Sequence, residues 1–144
     1  MVAAEAEVIE QILKVKSQMD SGMFKPLQLA AVEALRQGPE WFAQLNEEYA
    51  RRRLLAGEIF DILGVEYDRN STGMFLWGRV PEGKGEALAD KILYEAGVFI
   101  TPGFIFGKNG EDYIRISLCA KPEVLKKAAE RIRSVIPSEV EGSK

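Results

Sequence analysis

Val8, Ile9, Ile12, Leu13, Val15 and Met19 recur at helical spacing and predict a helix over residues 5–19, which Asp20-Ser21-Gly22 ends. Pro26 suits the first turn of a second helix, 27–36, closed by Gly38. Trp41, Leu45 and Tyr49 then recur every fourth residue, and Leu55, Ile59 and Leu63 continue the stripe to Gly64, so residues 39–63 read as one long helix. After it the period changes. Residues 65–67 suit a short strand, 68–73 a turn, and 74–80 a strand rich in large apolar side chains. Leu88, Ile92 and Leu93 restore helical spacing over 85–96, and strands are expected at 98–101 and 112–118. Pro122 opens a last helix with Val124, Leu125, Ala128, Ile132 and Val135 as its stripe, and the tail from Pro137 is expected to fray. A helical segment followed by β-α-β-β-α predicts an α+β small domain with helices covering one sheet face.

One of these strands carries a charge. Alternation sets Tyr113, Arg115 and Ser117 on one face and Ile114, Ile116 and Leu118 on the other, just beyond the glycine-containing run Pro102-Gly103-Phe104-Ile105-Phe106-Gly107. A guanidinium fork matches a carboxylate through two parallel hydrogen bonds. Two structural readings stand beside that one: an arginine on a solvated sheet face, or one paired with Glu111 or Asp112.

Composition narrows the chemistry. The 144 residues, 47% hydrophobic and 28% charged, suffice for one domain with a core. A net charge of -3 gives no electrostatic reason to expect nucleic acid. Arg51-Arg52-Arg53 shares its predicted helix with Glu47, Glu48 and Glu58, which suggests a mixed, solvated surface. No apolar run is long enough to span a bilayer and no signal-peptide pattern opens the chain, so a cytoplasmic protein without membrane partners is expected. The chain has no histidine, which removes imidazole bases, nucleophile pairs and imidazole metal ligands. Cys119, the single cysteine, is expected to be a small core residue. Glu47-Glu48 and Glu111-Asp112 are sequence neighbours that point to different sides of their elements, which makes them poor acid/base dyads.

Three stretches carry a resemblance. Val98-Phe99-Ile100-Thr101-Pro102-Gly103, with Phe106-Gly107 and Tyr113-Ile114-Arg115-Ile116-Ser117, resembles the C-terminal region of fold-type I, pyridoxal-phosphate-dependent aminotransferases of class I/II, aspartate-aminotransferase-like. Upstream, residues 16–24 (Lys16 to Phe24) and Gly73-Met74-Phe75-Leu76-Trp77 resemble two further family landmarks, in the family's order. The resemblance implies that Arg115 holds a substrate α-carboxylate, with Pro102 and Gly103 beside the substrate and Phe75 near its pocket. Pro102-Gly103 also reads as a plain turn between strands, which is the reading it would take without Arg115, and Phe75 reads equally as strand core. Ser21-Gly22-Met23 resembles a segment near the family's dimer interface and also reads as a plain helix break.

The family's cofactor lysine stands in a Ser-x-x-Lys type context that no lysine here matches. Lys14 and Lys16 lie in an amphipathic run, and Lys84 and Lys108 in glycine-flanked turns. The family's phosphate loop, pyridine-facing aspartate and ring-stacking aromatic belong to sequence upstream of these landmarks. The resemblance therefore implies the C-terminal third of an aminotransferase: residues 1–45 from the large domain and 46–144 as the small domain. It implies pyridoxal phosphate in the complete enzyme, none held by this chain alone, and no transamination by it alone. The alternatives are a non-catalytic carboxylate- or amino-acid-binding module, or an interaction partner that completes a site with another chain. Apolar stripes on the first two helices predict a homodimer or larger assembly.

Overall fold

Helix α1 spans Ala6–Met19 and α2 spans Lys25–Leu35, with Pro26 in the first turn, where its missing N–H is needed by no partner. The computed structural model describes residues 2–81 and 83–136, so the fraying expected from Pro137 lies outside the described residues. Two compact units are present, Met1–Phe42 and Ala43–Lys144. In the first, Asp20 accepts a hydrogen bond from the Gly22 N–H (3.1 Å) and pairs with Lys16, and the Lys16 hydrogen bond foremost holds its carboxyl below the usual carboxylate range. Among the described residues of this unit none is buried. Val8, Ile12, Val15 and Met19 stand open along α1, as do Leu27, Leu29, Val32 and Leu35 on α2.

The second unit holds the core. Helix α3, Pro39–Ile62, runs into it and is followed by strands β1 (Glu66–Tyr67) and β2 (Phe75–Arg79), and helix α4 (Gly85–Ala96). Strands β3 (Thr101–Pro102) and β4 (Tyr113–Ser117) and helix α5 (Pro122–Val135) complete it. The sheet is antiparallel in the order β1-β2-β4-β3, with Trp77 opposite Arg115 across β2 and β4, and Thr101 opposite Arg115 across β3 and β4. Leu76, Ile114, Ile116 and Leu118 point from one sheet face into a core shared with Ile59 and Phe60 of α3, Ile92 of α4 and Ile132 of α5. The architecture is α+β, with Phe75, Trp77, Tyr113, Arg115 and Ser117 on the face opposite that core. Gly78 is what lets β2 lie so close to α3, since a Cβ there would overlap Val65 and the Phe60 ring (2.8 Å to Cε2).

Several expectations are corrected. Strand pairing over 98–101 reduces to Thr101–Pro102, because the Gly97 and Val98 N–H groups turn back to the carbonyls of Leu93 and Ile92 and cap α4. Pro102 ends this edge strand and Gly103 begins a 3₁₀ turn, Gly103–Phe106, followed by another at Lys108–Gly110. Cys119 is exposed: Leu118 takes the inward position, and the Cys119 N–H bonds to the Ser117 hydroxyl one step past the strand.

The arginine run is less solvated than its composition suggests. Arg52 donates to Glu48 (2.7 Å) and to the Leu118 carbonyl (3.1 Å), tying α3 to the end of β4. Arg53 donates to the Ser71 hydroxyl (3.2 Å) and the Gly73 carbonyl (2.8 Å), holding the turn that leads into β2. Only Arg51 stays at the surface, paired with Glu48.

The hydrogen bond from Arg52 is the largest cause that lowers the Glu48 pKa from its ordinary 4.5. A lowered folded-state pKa gives stability that is present above the unfolded value and lost as pH falls through the folded one. The thermal midpoint of the wild type should therefore exceed that of Glu48→Gln near neutral pH, and the gap should close as pH drops below about 4. A gap that stays constant across the acid range would show that the carboxylate's charge contributes nothing.

Candidate functional site

The exposed sheet face gathers aromatic rings around one cation. The Arg115 guanidinium carbon lies 4.2 Å from the ring centre of Phe75 and 4.2 Å from that of Phe106. Trp77 stacks on Tyr113, with centroids 5.4 Å apart and planes 16° apart, and meets Phe106 edge-on at 5.6 Å. Alternation along β2 and β4 accounts for four of these side chains, and register for their adjacency: Phe75 and Arg115 are diagonal neighbours, as are Trp77 and Tyr113. Phe106 arrives from the 3₁₀ turn after β3.

Of the plainer readings of Arg115, the one that pairs it with Glu111 or Asp112 is not what the described residues show, while the sheet face on which it stands is exposed. It makes no ion pair among the described residues, with Glu111 and Asp112 included, and its Nε is buried without a hydrogen-bond partner. It is half-buried against rings. A buried donor left unpaired costs about 1–3 kcal/mol, so such an atom marks a place where packing has been set against local satisfaction.

The four residues singled out from sequence fall close together. Phe75 touches Arg115, Pro102 pairs with Ile114 beside it, and Gly103 lies buried under Trp77. A Cβ on Gly103 would overlap the carbonyl oxygens of Gly110 and Tyr113 (2.8 Å) and press on Trp77 Cη2 at 3.0 Å. Phe106 and Trp77 were not singled out as site residues, although both lie within the stretches that carry the resemblance. The signal was available in β2, where Trp77 shares the alternation of Phe75; for Phe106 no periodicity exists in the turn.

The model of aminotransferase class I and II matches residues 1–132. The chain belongs to that family. It is similar to the LL-diaminopimelate aminotransferase of Moorella thermoacetica, 38% identical over 91% of this chain and 34% of that protein. The Aquifex aeolicus protein of the same name is 36% identical over 94% of this chain and 35% of its own length. Among solved structures, an aromatic aminotransferase from Pyrococcus horikoshii superposes with a TM-score of 0.79 at 30% identity, over 92% of this chain and 37% of the other. The chain thus spans about a third of the length of the aminotransferases it matches.

The family implies pyridoxal phosphate in the complete enzyme. A lysine that holds such a cofactor works from an enclosed pocket, where burial lowers its pKa. Lys14, Lys16, Lys25, Lys84, Lys91, Lys108, Lys121, Lys126 and Lys127 are all exposed. What the site offers is a cation set in an aromatic wall; among the described residues no group of three or more metal-ligating side chains exists.

Gly103→Ala should test the close approach beneath this wall. Two backbone carbonyls must move to admit the methyl group, so we expect a loss of about 1–3 kcal/mol in unfolding free energy, with a shifted Trp77 signal in near-UV circular dichroism. Unchanged stability and spectrum would mean that the 3₁₀ turns yield freely.

Proposed function

We propose that this chain is the C-terminal part of an aminotransferase in which Arg115 holds the α-carboxylate of an amino acid or 2-oxo acid. The supporting observation is a guanidinium without a carboxylate partner among the described residues, on an aromatic sheet face, in a chain of this family. Residues 46–144 would form the small domain, with 1–45 drawn from the large domain that binds pyridoxal phosphate in the complete enzyme. The cofactor supplies the electron sink for the reaction; this chain's own part is to bind and orient the carboxylate. Alone it would bind without transaminating.

LL-diaminopimelate, which names several relatives, is the first amino acid to try. Calorimetric titration of the chain should give saturable binding that Arg115→Ala abolishes while the far-UV spectrum stays the same. Equal affinity in the variant would sink the role of Arg115, and turnover by the chain with added pyridoxal phosphate and a 2-oxo acid would sink the claim of inactivity.

The open stripes of α1 and α2 support a second reading, that two copies associate through them. Sedimentation should then give a dimer or larger species at micromolar concentration. Replacing Leu13 and Val15 on α1 with serine should shift it toward monomer; a wild-type monomer would refute the association.

A further inference from the structure

We infer that Phe106 and Phe75 are positioning residues that fix the plane of the Arg115 guanidinium, so that a carboxylate meets a fork already formed. The inference rests on the reading of Arg115 given above and adds how its geometry is set. Both ring centres lie 4.2 Å from the guanidinium carbon, well inside the distance at which a ring face attracts a cation. Arginine stacks on aromatic faces because its guanidinium is flat and weakly hydrated.

The hydrogen-bonding pattern points the same way. Nε is sealed off without an acceptor, whereas the two terminal nitrogens are not closed off in this way. A carboxylate therefore has the terminal pair to engage, while Nε stays buried. No carboxylate side chain anchors the guanidinium among the described residues, so the rings supply the orientation that an ion pair would otherwise give. Such an anchor leaves the positive charge uncompensated for an incoming anion, which a local glutamate would not.

Phe106 is the informative position because it comes from the turn after β3 and is half exposed, at 50%, so that truncating it leaves the core untouched. The experiment combines titration of the full chain with pyruvate and the ¹⁵N-resolved Nε–H resonance of Arg115. In the wild type that resonance should be sharp and displaced by ring currents. Phe106→Leu should move it toward the free-arginine position and weaken pyruvate binding about tenfold, whereas Phe106→Trp, which keeps a ring face, should retain both.

Wild-type affinity and resonance in Phe106→Leu would overturn the inference. If neither the wild type nor Arg115→Ala binds pyruvate, the carboxylate role fails, and the resonance still decides positioning: its movement in Phe106→Leu upholds the inference and its constancy refutes it. Should Phe106→Leu not fold, Phe75→Leu is read by the same two measurements.

Discussion

Ile114, Ile116 and Leu118 enter the core from one side of β4, and a slip of one residue would turn all three outward and drive Arg115 in. Each aliphatic side chain contributes about 1.5–3 kcal/mol by leaving water, while an unpaired guanidinium in that core would cost several kcal/mol. The two penalties have the same sign, so register is fixed twice over. Everything on the opposite face inherits its place from this. Arg115 faces Trp77 and Thr101, and Phe75 falls on the diagonal, because β2 and β3 must match the inward set of β4.

Helix α3 fixes the end of the sheet where Phe75 sits. Within two turns, Tyr49 donates to Met74 (3.4 Å), Arg52 to the Leu118 carbonyl and Arg53 to the Gly73 carbonyl. These contacts hold the entry to β2 and the exit of β4, which are themselves joined by the Leu118 N–H to the Met74 carbonyl at 2.8 Å. At the other end, Gly85 and Gly103 remove the Cβ atoms that would separate α4 and the first 3₁₀ turn from Tyr113 of β4, and Gly110 removes the one that would separate the two 3₁₀ turns. The aromatic wall is therefore carried by a sheet clamped at one end by side chains and at the other by backbone packed on backbone.

Helices were legible wherever a stripe ran for three or more turns, and α3, α4 and α5 lie within two residues of where the stripes set them. The inward and outward sets of β4 were legible for the same reason, since alternation over five residues has one solution. What escaped is non-periodic. At the start of the strand expected over 98–101, Val98 instead caps α4, a choice made by the left-handed Gly97 (φ 63°) and not by the apolar character of Val98, Phe99 and Ile100. Cys119 read as buried because an apolar strand precedes it, yet the strand stops one residue earlier. Arg52 and Arg53 looked like surface charge because their partners are main-chain carbonyls and a hydroxyl far along the chain, which composition cannot show.

The two units differ in a way that bears on what the chain can do. The second has a closed core with fifteen buried hydrophobic residues among those described, enough to hold β4 and its neighbours rigid. The first buries none of its described residues and keeps its stripes open. If Arg115 serves as a carboxylate site, only the second unit is needed for it, because the sheet of that unit sets its place opposite Trp77 and Thr101. Moving a proton needs more: a base with a matched pKa within hydrogen-bond reach of the substrate. The wall around Arg115 is built from Phe75, Phe106, Trp77 and Tyr113, whose strength is in shape and quadrupole, not proton transfer.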